Sequence, residues 1–142
     1  MNDLEHTETI GVLKATGNIG LKKAVVIRLR QEKRREYGLI VGCMLGREKN
    51  PGLIEEVMLT LAAWKAKTYA PDIDRIFSKA KIPFTRLCAA YALRDLGHNV
   101  EKQNRRIGEI LGEDPKTIAK INEIIHNQEA LLDEKGEDDD DE

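Results

Sequence analysis

Seven cations fall within residues 22–36: Lys22, Lys23, Arg28, Arg30, Lys33, Arg34 and Arg35 stand against only Glu32 and Glu36, a local charge of +5. Cations at this density suit contact with phosphates, because each neutralised phosphate releases counterions. The plainer alternative is a solvated helix face whose charges find partners four residues away. A second set lies near the C-terminus. Lys116, Thr117 and Lys120 follow Asp114-Pro115 directly, and Arg105 and Arg106 precede it. A lysine can reach guanine O6 and N7, and a threonine can touch a base or a phosphate; Asn122 and Asn127 offer the bidentate geometry that adenine accepts. Arginines such as Arg105 and Arg106 suit phosphates, which fix register without reading sequence.

No second kind of chemistry has its residues in place. His6, His98 and His126 are isolated, and none has metal-ligand spacing to a cysteine or to another histidine. Gly17-Asn18-Ile19-Gly20 lacks the lysine and the length of a phosphate loop, and no Gly-x-Ser-x-Gly occurs. Cys43 and Cys88 sit in apolar surroundings, form no Cys-x-x-Cys and read as core. Phe77, Phe84 and Tyr91 fall at helical core spacing, not as a stacking platform for single strands. Enzyme activity, metals and cofactors are not expected.

The 142 residues are 41% hydrophobic, 34% charged and 4% aromatic. That balance fits a soluble helical protein and argues against a sandwich or barrel. The longest apolar run, residues 39–45, is far short of the ~20 residues of a membrane span. A polar, acidic N-terminus and two thiols outside any disulfide pattern point to the cytoplasm. Residues 133–142 hold eight acids and one lysine, a charge of −7, leaving +5 on residues 1–132. Such a segment buries nothing and is expected to be a disordered acidic tail, serving solubility, a partner, or competition with phosphate for a basic surface.

The elements that must position these groups read as helices. Residues 3–16 form a weak one, ended by the turn at 17–20. A second runs from Leu21 toward Leu45, with a possible break at Gly38, and its apolar end at 39–45 is open to a strand reading. Asn50-Pro51 is a capped helix start, followed by an apolar stripe that ends on a core Trp64. Ala70-Pro71 is expected to end that helix. Thr85 is expected to cap a later one, in which Leu87, Cys88, Tyr91 and Leu96 face inward and Gly97 closes the end. Residues 100–111 form a helix closed by Gly112, and Asp114-Pro115 opens another carrying Ile118, Ile121, Ile125 and Leu132. The fold class is all-α, a small helical bundle.

Two helices joined by Gly112-Glu113-Asp114 must cross steeply. Over residues 104–123 the chain resembles the helix-turn-helix family of DNA-binding units. Ile107 and Gly108 match its apolar-small pair, Leu111 and Gly112 its turn, and Ile118 and Ile121 the anchors of its second helix, while Glu113 replaces the usual apolar residue. A fainter likeness, carried by residues 90–96, Ile107-Gly108 and Thr117-Ile118, is to the DNA-binding domain of the replication initiator DnaA. That domain's Arg-Asp-His-Thr-Thr signature is replaced by Glu113-Asp114-Pro115-Lys116-Thr117, so only the three-helix scaffold is implied, not initiation. A weaker echo of the unit lies at Ile73, Ile76 and 83–87, with spacing that differs by two residues.

The resemblance implies duplex DNA as partner, read by Lys116, Thr117 and Lys120 with Arg105 and Arg106 on phosphates, and a homo-oligomer to supply enough contact. Three regions follow: 1–70 for oligomerisation and a basic surface, 71–132 for DNA reading, and 133–142 as the tail. A transcriptional regulator is the commonest use of this layout. The alternatives are an oligomeric DNA-recognition adaptor, similar in layout to a viral small terminase subunit, and a protein-only interaction module.

Overall fold

Asparagine and proline set the first helix starts that can be explained locally. The computed structural model describes residues 3–15 and 17–112, and every regular element among them is helical. Helix α1 spans Asp3–Ala15 and α2 spans Ile19–Gln31, where the Asn18 side chain accepts from the Leu21 N–H at 3.0 Å. Helix α3 is Gly38–Arg47, and α4, Pro51–Ala63, opens with Asn50 accepting from the Leu53 N–H at 3.1 Å. Each such cap satisfies a donor that the helix leaves unpaired. Helix α5 is Ala70–Lys79, α6 is Pro83–Asp95 and α7 is Val100–Leu111, closed by Gly112 at φ 71°. That left-handed cap is the one the sequence anticipates at Gly112, and Gly97, at φ 76°, follows the C-cap of α6 as expected.

Several sequence expectations give way to the observed boundaries. The single helix from Leu21 toward Leu45 is two, because α2 stops at Gln31 and Lys33, at φ 57°, turns the chain. A 3₁₀ turn at Arg35–Tyr37 then leads into α3, so the 39–45 run is helical. Ala70-Pro71 opens α5; it does not end α4, which stops at Ala63. Thr85 lies inside α6 and donates its hydroxyl to Glu55 Oε2 at 2.6 Å, and the N-cap position, Ile82, makes no side-chain cap. Cys43 faces outward on α3, because Val41, Met44 and Leu45 take its buried side. Phe84, on the first turn of α6, is 60% exposed and not core. Trp64 and Cys88 are buried as expected, and burial pushes the Cys88 thiol up to about 11, which leaves it unreactive.

The starts of α2, α4 and α6, at 19, 51 and 83, reveal a 32-residue step. The same step joins the positive-φ residues Lys33, Lys65 and Gly97. It joins the 3₁₀ turns at Arg35–Tyr37 and Lys67–Tyr69, and the starts of α3 and α5. Leu29, Leu61 and Leu93 occupy one repeat position and are all buried. The fold is therefore a short array of helix pairs, each burying its apolar face on the next.

Helices α2, α4 and α6 form one layer, each packed on its successor. Against it lie α1 on α2, α3 on α4 and α5 on α6, with α7 closing on the far side of α6. A continuous core links Leu13 to Ile107 and crosses 70/71, where the sequence reading places a domain boundary. Gly11, in the middle of α1, is exposed, and nothing would meet a Cβ there. Gly11→Ala is expected to stabilise the protein by about 0.5–1 kcal/mol, because it reduces the freedom of the unfolded chain without a clash. A urea titration checks this, and a loss of stability would contradict it.

Candidate nucleic-acid interface

The cations of 22–36 do not form one open surface. Lys22, on the first turn of α2, is buried and donates to both carboxylate oxygens of Glu48, at 3.1 and 2.9 Å. Arg28 pairs with Glu32 at 2.7 Å, four residues along the helix. Arg30 crosses to α4, where it pairs with Glu56 at 2.9 Å and donates to the Thr60 hydroxyl at 3.3 Å. Arg34 pairs with Glu36 and lies 5.9 Å above the Tyr37 ring. Lys33 shapes the turn after α2, its N–H bonded to the Arg30 carbonyl at 3.1 Å. Lys23 reaches over the first turn of α4, where its Nζ would stand 3.4 Å from a Cβ on Gly52. Arg35 is exposed. Four of the seven cations are thus paired with acids, two of which, Glu48 and Glu56, lie outside the stretch.

Arg105 and Arg106 also part ways. Arg105 is exposed on α7. Arg106 pairs with Asp74 at 2.7 Å, bonds Gln103 Oε1 at 3.2 Å and stacks 4.0 Å from the Phe77 centroid. The Arg106 hydrogen bond holds the Asp74 carboxyl below its ordinary range. Arg106 therefore locks α7 to α5 and is not presented for a phosphate. Gln103 beside it is fully buried, its amide donating to the His98 carbonyl at 3.2 Å. Ile107 and Gly108 of α7 are buried. Lys116, Thr117 and Lys120, together with Asn122, Asn127 and the 133–142 segment, lie outside the described residues.

A basic surface that the sequence reading did not single out lies elsewhere. The ends of α3 and α5 and the starts of α4 and α6 converge on a cleft of about 360 Å³. Leu45, Ile54 and Ile76 line it, and Lys49, Lys79 and Lys81 ring it. All three lysines are exposed, and none forms a salt bridge among the described residues. Its one carboxylate, Asp72, is paired with Arg75 at 3.5 Å. Lys49 and Lys81 occupy the same place in successive repeats, a relation that shows only once the helix pairs are aligned.

No protein-family model, curated protein or solved structure matches the chain. The functional reading therefore rests on its own residues. Among the described residues, no group of three His, Cys, Asp or Glu side chains could hold a metal ion. No helix among them is long and apolar enough to cross a membrane.

Proposed function

We propose that the chain is a sequence-specific duplex-DNA-binding protein whose reading unit begins with α7. The observation that carries this is the form of α7 itself. It buries Ile107 and Gly108, exposes Arg105, and stops at a left-handed Gly112. Those are the features by which the first helix of a helix-turn-helix supports its recognition helix. The sequence that follows supplies Asp114-Pro115 and then Lys116, Thr117 and Lys120, the candidates for base contact. A role in transcription regulation follows only by analogy with other proteins of this layout.

The test is fluorescence anisotropy with random-sequence duplex at two salt concentrations. Binding should weaken with salt, and on a duplex selected from the random pool for tight binding Lys116→Ala/Lys120→Ala should lower affinity by about 1–3 kcal/mol per lost base contact. Arg105→Ala should lower the salt slope by about one unit, whereas Arg106→Ala should act through stability. A folded protein that binds no duplex at low salt would overturn the reading. The layered helix pairs favour a second one, a repeat scaffold for a protein partner, since such arrays present extended surfaces.

A further inference from the structure

The geometry points to the cleft between α3, α4, α5 and α6 as the docking site of the chain's own acidic C-terminal segment, 131–142. This is independent of DNA binding. The cleft has two chemistries: an aliphatic floor of Leu45, Ile54 and Ile76, and a cationic rim of Lys49, Lys79 and Lys81. Its occupant must carry apolar side chains next to acids. The segment has that order, with Leu131 and Leu132 followed at once by Asp133 and Glu134 and then by the acidic run 137–142.

Charge argues the same way. Residues 3–15 and 17–112 hold 20 Lys and Arg against 13 Asp and Glu, or +7, and residues 133–142 carry −7. At least eight of the 17 other cations of the described residues stand in salt bridges, whereas the three rim lysines form none among the described residues. Helix α6 also opens at this cleft without a side-chain cap, and the positive end of a helix favours carboxylates.

Reach allows it. Arg106 of α7 sits over Phe77, two residues before the end of α5, and Arg86, on the first turns of α6, stacks on that ring at 4.6 Å, so α7 touches the end of α5 that borders the cleft. The 19 steps from Gly112 to Leu131 cover about 28 Å even if wound at 1.5 Å per residue, more than the length of any helix here.

Carbodiimide cross-linking of the full chain, mapped by mass spectrometry, tests the assignment. Lys49, Lys79 and Lys81 should form amide links to acids within 133–142, in preference to Lys67, which lies in the 3₁₀ turn before α5, at the other end of that helix from Lys79. The yield should fall several-fold between ~0.05 M and ~0.5 M salt, where screening shortens from roughly a helix diameter to a few ångströms. It should fall several-fold again in Leu131→Ser/Leu132→Ser at low salt. An equal yield at Lys67, a yield indifferent to salt or to the leucine substitutions, or no links at all would overturn the proposal. So would links found only between copies in a mixture of ¹⁴N- and ¹⁵N-labelled protein, which would make the occupant a second chain.

Discussion

Glu48→Gln is expected to cost about 3–5 kcal/mol of folding free energy, because it strands a buried ammonium. Lys22 and Glu48 side chains are each only 8% exposed, and the lysine donates to both carboxylate oxygens. Arg47 adds a third bond to Glu48 at 3.1 Å and also donates to the Leu13 carbonyl, tying the end of α1 to the end of α3. Lys22→Met should be similarly harmful for the opposite reason, leaving the carboxylate without its partner. The double change Lys22→Met/Glu48→Leu should recover much of the loss, since a buried pair is often replaceable by apolar groups of like volume.

The same pair sets a pH dependence. Burial alone would raise the Glu48 carboxyl, but the hydrogen bonds from Lys22 and Arg47 outweigh it and hold the group below its ordinary value of 4.5. A carboxyl depressed by folding contributes stability that is complete above its unfolded value and lost as pH falls through its folded one. Urea titrations from neutrality downward should therefore show the wild type losing stability below about pH 4.5, with a shallower loss in Glu48→Gln. A Glu48→Gln protein within 1 kcal/mol of wild type at neutral pH would show that the pair is not the anchor described.

The all-helical class and the helix ends at Asn50-Pro51, Gly97 and Gly112 were legible because capping chemistry is local. The 32-residue repeat was not. Its turn residue in left-handed conformation is glycine only once, at Gly97; at the equivalent positions Lys33 and Lys65 sit at φ 57°, where a lysine gives no sign in the sequence. Proline opens α4 and α6, but Ile19 opens α2. The repeat survives as shape and as the buried Leu29, Leu61 and Leu93 more than as residue identity. This also explains why the cross-element partners of the basic stretch could not be read from it. Its partners Glu48 and Glu56 lie 26 residues from Lys22 and Arg30, and Asp74 lies 32 from Arg106. A search for partners four residues away finds only Glu32 for Arg28. Conversely, the rim lysines of the cleft are scattered in sequence and form a patch only once successive helix pairs are stacked.

Gly42→Ala is expected to destabilise the protein by about 1–3 kcal/mol, the cost of overpacking a filled site. Gly38, Gly42 and Gly46 recur every fourth residue along α3, so composition alone would treat them alike. Only Gly42 is met by another element. A Cβ there would stand 2.6 Å from the Tyr69 hydroxyl oxygen and closer still to ring carbons Cζ and Cε1, whereas nothing lies within 4 Å of one on Gly38 or Gly46. Tyr69 ends the 3₁₀ turn before α5, and its ring bridges back to the preceding helix of its layer. Tyr37, one repeat earlier, does the same toward α1, its hydroxyl 2.6 Å from His6 Nδ1. The ring of Tyr69 must therefore move for an alanine at position 42 to fit, and the seam between α3 and α5 must loosen with it. Gly46→Ala, in open helix, should instead stabilise by about 0.5–1 kcal/mol. The decisive measurement is a double-mutant cycle by urea unfolding. Once Tyr69→Ala removes the ring, Gly42→Ala should lose its penalty, a coupling of about 1 kcal/mol or more. Equal effects at positions 42 and 46, or strict additivity of the two changes, would mean that the Tyr69 ring does not set the packing of α3 on α5.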